Sequence, residues 1–152
     1  MSRTLGIDYG TVRIGLAMSD AVGVVAMTHS QMTVKSRKEA VAGAVDLIQR
    51  ESVERVVVGL PLNMDGTDSE MTRQVRNFTE MLKELVDCPV LLWDERMSSK
   101  QVERALIEGD VSRSKRKESR DMMAAQIMLQ SYLESQSPMD MFDADDWPMD
   151  PQ

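Results

Sequence analysis

Residues 4–19 read TLGIDYGTVRIGLAMS, and this stretch decides the fold class. It contains two short apolar runs, Thr4–Tyr9 and Arg13–Ser19, which are typical of buried strands. Only Gly10, Thr11 and Val12 separate the two runs, and such a short link predicts an antiparallel hairpin. A more polar run, Val22–Met32, follows and predicts a third strand nearer an edge of the sheet.

The rest of the chain alternates between helical and strand patterns. The first predicted helix is capped by Ser36, with Glu39 in the capping-box position, and ends near Glu51; a strand buried on both faces follows at Arg55–Gly59. The second predicted helix runs from Ser69 to Val86, with Val75, Phe78, Leu82 and Leu85 on its apolar face, and a buried strand follows at Cys88–Trp93. Two more helices are predicted, one from Ser98 or Ser99 to Gly109 and a last one from Glu118 to Ser135.

This order, three strands followed by alternating helices and strands, predicts an α/β protein with a mixed sheet. The predicted sheet has five strands: three antiparallel strands come first, parallel βαβ units follow, and helices lie on the faces of the sheet. A chain of 152 residues is one domain by size, and residues 1–134 are the predicted domain. Residues 135–152 are acidic, contain prolines and lack periodicity, which predicts a disordered tail.

The net charge of −7 argues at first against a polyanionic substrate. The tail, however, carries five aspartates and no Lys or Arg, so the rest of the chain has a net charge of only −2. A dense basic run lies before the last helix: Arg113, Lys115, Arg116, Lys117 and Arg120. This run is a candidate contact for a phosphate backbone, although a solvated helix start is the alternative. The tail is a candidate shield for this run.

The remaining composition places the chain in the cytoplasm. No stretch approaches the length of apolar sequence that spans a bilayer, so we expect no membrane association. The N-terminus shows no targeting segment, and the single cysteine, Cys88, excludes an intrachain disulfide. Cys88 itself is typical of a small buried residue, not of a nucleophile.

Asp8 is the first candidate for chemistry, because it interrupts an apolar strand. A carboxylate in that position is costly unless it binds a metal, pairs with a cation or lies at an open sheet end. Gly6, Gly10 and Gly15 nearby allow a ligand or another backbone to approach closely. The alternative is a carboxylate that only accepts hydrogen bonds from a turn.

Two further acidic positions follow the same logic. Asp94 and Glu95 end a predicted strand, where ligands of α/β sheets collect, but they point to opposite faces and the pattern does not choose between them. One of them could instead pair with Arg96. Asp121 lies in the first turn of the last helix, where acidic residues are favoured anyway. It shares a helix face with Ala125, Met128 and Tyr132, which favours a position toward the sheet.

These residues lie within a series of motifs that resembles one family. The motifs are GIDYGT with RIG (residues 6–15), VVGLPLNMDG (57–66), WDER (93–96), and Asp121 followed by AA (124–125) and LQSY (129–132). In this order and spacing they resemble the YqgF family, also called RuvX, relatives of the RuvC-type Holliday junction resolvases with a ribonuclease-H-like fold. The resemblance covers roughly Leu5 to Leu133.

The resemblance implies that Asp8, Glu95 and Asp121 are the catalytic, metal-binding triad of a nuclease. Three carboxylates repel one another when ionised, and oxygen ligands favour Mg²⁺ or Mn²⁺, with two ions expected per site. The predicted nucleic-acid contacts are Arg13, Arg96, Asn63 and the basic run from Arg113 to Arg120. Asn63 has an equally good explanation as an ordinary turn former.

The expected function is therefore metal-dependent cleavage of nucleic-acid phosphodiesters. The resemblance implies processing of the 5′ end of pre-16S ribosomal RNA during ribosome biogenesis, or alternatively resolution of Holliday junctions or cutting of branched or single-stranded DNA in repair. A non-catalytic RNA-binding assembly factor and an ATP-binding protein of the actin-like class are further alternatives, the second disfavoured by length. The sequence leaves a monomer and a homodimer both open.

Overall fold

A computed structural model describes residues 3–97 and 120–136 of the chain. The strands are β1 (Thr4–Asp8), β2 (Arg13–Ser19), β3 (Ala26–Thr33), β4 (Arg55–Leu60) and β5 (Val90–Asp94), and the helices are α1 (Arg37–Arg50), α2 (Glu70–Lys83) and α3 (Arg120–Ser135), with one 3₁₀ turn at Glu95–Met97. The predicted helix before Gly109, the basic residues Arg113, Lys115, Arg116 and Lys117, and the tail beyond Gln136 lie outside the described residues.

The five strands form one mixed sheet in the order β3-β2-β1-β4-β5. β1 pairs antiparallel with β2, and β2 pairs antiparallel with β3. On its other side β1 pairs parallel with β4, and β4 pairs parallel with β5. This arrangement confirms the predicted meander joined to parallel βαβ units, and with it the α/β class.

The sheet is covered on both faces. Leu5 and Ile7 of β1 point into a core shared with α1 and α2. Val57 of β4 points to the opposite face, where α3 packs through Ala125 and Leu129. Because Val57 and its two neighbours in β4 are fully buried, the prediction of a strand buried on both faces is confirmed.

Both helices between the strands begin with side-chain caps. Ser36 Oγ accepts a hydrogen bond from the backbone N–H of Glu39 at 3.1 Å, and the Glu39 carboxylate accepts one from the N–H of Lys35 at 2.9 Å. At α2, the N–H of Thr72 donates to Ser69 Oγ at 3.1 Å and the N–H of Ser69 donates to Thr72 Oγ1 at 2.9 Å. Each cap satisfies donors that a helix start leaves unpaired, which stabilises the fold by about 1 kcal/mol.

Two predicted boundaries were wrong. β3 begins at Ala26 and not at Val22, because the Asp20 carboxylate accepts hydrogen bonds from the N–H groups of Val24 and Val25 and holds a turn there. Helix α2 ends at Lys83, so Leu85 lies beyond the helical periodicity and its side chain is 59% exposed instead of lying on the apolar face.

The prediction of β5 as a buried strand was also wrong in part. β5 is at the edge of the sheet, and Leu91 is 40% exposed while Val90 is buried. A continuous apolar run does not reveal whether a second neighbouring strand exists, which is why the pattern misled. Across residues 3–97 and 120–136, no helix is long and apolar enough to cross a membrane.

Candidate active site

Asp8 ends β1 on the face of the sheet that α3 covers. Its partner across the antiparallel pair is Gly15 of β2, and the parallel register with β4 continues past Ile7 and Val58 toward Gly59. A Cβ atom at Gly15 would overlap the backbone carbonyl of Asp121, so the absence of a side chain lets the first turn of α3 lie directly on the sheet. The predicted close approach at Gly15 is therefore confirmed.

Glu95 reaches the same face from the end of β5. A Cβ atom at Gly59 would lie 2.6 Å from Glu95 Oε2, so the Glu95 carboxylate occupies the space above this glycine. Since β4 lies between β5 and β1, the Glu95 side chain extends across β4 toward Asp8. Sequence reasoning took Gly59 only as the end of a strand and missed this steric role.

The structure separates Asp94 from Glu95. The Asp94 carboxylate accepts hydrogen bonds from Arg96, at 2.8 Å from Nη2 to Oδ2 and at 2.9 Å from the backbone N–H to Oδ1. The ion pair lowers the pKa of Asp94. Asp94 is thus the residue that pairs with Arg96, and Glu95 is the residue that faces Asp8.

The electrostatics of the site centre on Asp8 and Glu95. Burial, together with the negative charges of Glu95 and Asp121, raises the pKa of Asp8 to about 7. Burial also raises the pKa of Glu95, against the effect of its hydrogen bond with Asp8. Near neutral pH this pair therefore retains a proton unless a cation neutralises it.

Asp121 lies in the first turn of α3, as predicted, but its carboxylate is engaged elsewhere. Its Oδ2 accepts a hydrogen bond from Arg13 Nε at 3.0 Å, and its side chain is 30% exposed. Among the residues that the structure describes, no three carboxylate, histidine or cysteine side chains converge tightly enough to hold a metal ion. The structure thus brings Asp8 and Glu95 together, with Asp121 close enough to act on Asp8 by its charge.

The predicted nucleic-acid contacts have different environments. Arg13 is 60% exposed at the start of β2, and Arg120 is an exposed first residue of α3. The side-chain amide of Asn63 donates to Thr67 Oγ1 at 3.0 Å, which fits the turn-forming explanation. Arg96 donates from all three of its guanidinium nitrogens to protein acceptors, on Asp94 and on the backbone of Met64.

A separate cleft of about 420 Å³ lies at the opposite end of the sheet. Its lining includes Val53, Leu85 and Cys88, and it lies before the starts of β4 and β5, away from Asp8 and Glu95. Burial raises the pKa of the Cys88 thiol, which keeps it protonated and unreactive. We therefore place the candidate active site at the carboxyl edge of the sheet, around Asp8 and Glu95, and not in this cleft.

With the carboxyl pair and the sheet order in place, comparison with known proteins decides the family. A family model described as "RuvX: Holliday junction resolvase" matches residues 2–135. The chain belongs to the RuvX family. Curated RuvX relatives share 42% identity over 137 residues in Halothermothrix orenii, 46% over 135 in Caldanaerobacter subterraneus subsp. tengcongensis and 39% over 150 in Myxococcus xanthus, and each is named "Putative pre-16S rRNA nuclease". These matches cover 90%, 88% and 98% of this chain and 98%, 97% and 99% of the relatives.

Solved structures confirm the predicted ribonuclease-H-like fold for this RuvX chain. Thermus thermophilus RuvC in complex with a Holliday junction substrate superposes with a TM-score of 0.64 at 15% identity, covering 90% of this chain and 96% of RuvC. The fowlpox virus resolvase with Holliday junction DNA superposes with a TM-score of 0.56 at 12% identity, covering 88% and 98%.

Proposed function

We propose that this chain is a nuclease that hydrolyses nucleic-acid phosphodiesters with the help of divalent cations, and that it processes the 5′ end of pre-16S ribosomal RNA. The observation that carries the proposal is the half-buried carboxyl pair of Asp8 and Glu95, whose mutual repulsion a proton or a cation relieves. The names of the curated relatives support the choice of RNA substrate.

The donor set fits Mg²⁺ or Mn²⁺. Asp8 and Glu95 supply hard oxygen ligands, and the described part of the candidate site contains neither Cys nor His. Asp121 supplies the third carboxylate, which becomes available when Arg13 releases it. We expect two ions per site; such ions lower the pKa of a bound water and stabilise the leaving oxygen.

The chain's own residues prepare the site for this chemistry. Gly15 and Gly59 keep side chains out of the space around Asp8, so that α3 and Glu95 can approach it. Arg13 is exposed enough to exchange the Asp121 carboxylate for a phosphate oxygen of the substrate. Hydrolysis would break the bond between phosphorus and the 3′-oxygen, and it would leave a 5′-phosphate and a 3′-hydroxyl.

The second candidate function is cleavage of branched or single-stranded DNA. The likeness in fold to two Holliday junction resolvases favours it, since one carboxylate site serves either kind of backbone. A non-catalytic assembly factor is less favoured, because a protein that only binds nucleic acid gains nothing from half-buried carboxylates that repel phosphates.

The test is cleavage of three labelled substrates, a pre-16S 5′-leader RNA, single-stranded DNA and a four-way junction, with Mg²⁺ or Mn²⁺. We expect metal-dependent cutting that is strongest on the RNA leader and lost in Asp8→Asn. The matched control is Asp46→Asn, which removes an exposed carboxylate on α1 that pairs with Arg50. No cutting of any substrate by the wild type, with RNA binding intact, would replace the nuclease proposal by the assembly-factor alternative.

A further inference from the structure

The rim of the candidate site carries exposed apolar side chains. Val12, Met64 and Met97 lie in the three segments that follow β1, β4 and β5. All three segments are at the carboxyl edge of the sheet, where Asp8 ends β1 and Glu95 follows β5. Met64 stands out, because its side chain is 90% exposed. Val12 and Met97 are 59% and 61% exposed, so the edge that carries the two carboxyl groups presents three apolar side chains to solvent.

Met64 is presented by an ordered loop. In this Met64 loop (residues 62–68), the N–H of Asn63 donates to the carbonyl of Thr67 at 2.9 Å and the N–H of Gly66 donates to the carbonyl of Asn63 at 2.8 Å. Thr67 Oγ1 donates to Asp65 Oδ1 at 2.6 Å, and Gly66 has a φ of +89°, a conformation that favours glycine. The exposure of Met64 therefore belongs to a defined turn.

Arg96 ties this loop to the strand that carries Glu95. Its Nη1 donates to the backbone carbonyl of Met64 at 3.0 Å, while Nε and Nη2 donate to the Asp94 carboxylate at 3.1 Å and 2.8 Å. The planar guanidinium makes both sets of bonds at once, which an ammonium group cannot reproduce. We call this arrangement the Arg96 clamp, and it makes Arg96 a positioning residue for Met64.

The chemistry of nucleic acids identifies what an apolar side chain there can contact. Phosphates and sugars are polar, and the only large apolar surfaces are the faces of the bases. In a continuous duplex those faces are stacked on one another, so an apolar side chain reaches them only where bases are unpaired or a step is opened. Because Arg96, the residue after Glu95, bonds to the backbone carbonyl of Met64, we expect a nucleic-acid backbone bound at Glu95 to lie near Met64.

We propose that the Met64 loop, held by the Arg96 clamp, contacts an unstacked base next to the phosphodiester at the carboxylates. This inference rests on the proposed function and narrows its substrate class: the preferred substrate has unpaired bases at the cleavage position, and a continuous duplex lacks the surface that Met64 contacts.

The experiment measures how tightly the protein binds a single-stranded RNA that carries 2-aminopurine at its central position, and how tightly it binds the same strand in a duplex. All proteins in this assay also carry Asp8→Asn, so that they do not cleave the RNA. We expect Met64→Gln to weaken single-strand binding about five- to tenfold and to leave duplex binding within about twofold, while Met64→Leu binds as before. The matched control is Met27→Gln, which changes an exposed methionine at the opposite end of the sheet and should have no effect.

The clamp is tested in the same assay. Arg96→Lys keeps the charge but loses the bidentate geometry, so we expect it to weaken single-strand binding like Met64→Gln, with the double variant no weaker than either one. Equal binding by Met64→Gln and Met27→Gln would overturn the inference while leaving the nuclease proposal intact. Absence of any nucleic-acid binding by the wild-type protein would overturn the proposed function itself.

Discussion

At the scale of single residues, Asp8 destabilises the fold when it is ionised, and the same carboxylate is a candidate ligand for a divalent cation. The strand around it is apolar, and its carboxyl group is half-buried beside Glu95 and near Asp121. Burial of a carboxylate favours the protonated form, so the ionised site is a source of instability in the protein without a cation. Binding of a divalent cation would remove that instability, which links metal binding to folding.

Replacement of Asp8 by asparagine should therefore stabilise the cation-free protein at high pH. The pKa of Asp8 rises from 3.8 to about 7 on folding, so the free energy of unfolding of the wild type falls as pH rises between these values and levels off above them. Asp8→Asn escapes this loss, and we expect a gain on the order of 2 kcal/mol at pH 8 and almost none at pH 4. Thermal unfolding in the presence of a chelator measures this; a lower melting temperature of the variant at pH 8 would refute it.

Arg13 gives a second prediction at this scale. We expect Arg13→Gln to weaken RNA binding and to reduce the slope of log affinity against log salt by about one, because one phosphate contact is lost. Arg50→Gln is the matched control, since Arg50 has the same side-chain exposure of 60% and lies on α1 away from the site. Filter binding at several salt concentrations measures both variants, and equal slopes would exclude Arg13 as a phosphate ligand.

At the scale of elements, the site depends on how closely α3 and the end of β5 approach the sheet. The approach is possible because two positions beneath them, Gly15 and Gly59, have no side chain. The contact at Gly15 is with the backbone of Asp121, whereas the contact at Gly59 is with the flexible end of Glu95. Substitution at Gly59 should thus disturb the site more than the fold.

We expect Gly59→Ala to reduce cleavage at least about tenfold while changing the free energy of unfolding by less than about 1 kcal/mol, because the added methyl displaces the Glu95 carboxylate. Gly43→Ala is the matched control. Its added methyl would meet the Met32 sulfur at 2.5 Å, also the end of a flexible side chain, but on the other face of the sheet. If both variants cleave like the wild type, the position of Glu95 above Gly59 does not matter for activity.

At the scale of the whole molecule, charge is distributed unevenly along the chain. Residues 137–152 carry five aspartates and no Lys or Arg, and without them the net charge of −7 becomes −2. We propose that this acidic segment competes with nucleic acid for basic side chains.

Removal of residues 137–152 should tighten RNA binding about three- to tenfold at low salt, with the difference fading as salt screens the charges. A chain in which the five aspartates are replaced by asparagines separates charge from length and should bind like the truncated protein. Unchanged affinity in both proteins would show that the tail does not shield the basic run.

The sequence by itself determined the order of the elements, the mixed sheet and the anomaly of Asp8. Alternation and helical periodicity are local properties, and the caps at Ser36 and Ser69 use residues three positions apart, so short segments contain the information. The same locality explains two failures: Leu85 lies beyond the end of its helix, and β5 pairs with one strand in the part of the chain that the structure describes.

The alternation of side chains left open which carboxylate of the Asp94 and Glu95 pair faces Asp8; the family resemblance implied Glu95, and the tertiary structure supplied the physical reason. Alternation places the two on opposite sides, but the choice depends on β4 lying between β5 and β1 and on the open space above Gly59. The Arg96 clamp likewise joins residues 64 and 96, which the sequence separates and the adjacent strands bring together. Contacts between distant segments follow from the packing of the whole sheet, because no local pattern specifies which strand becomes the neighbour.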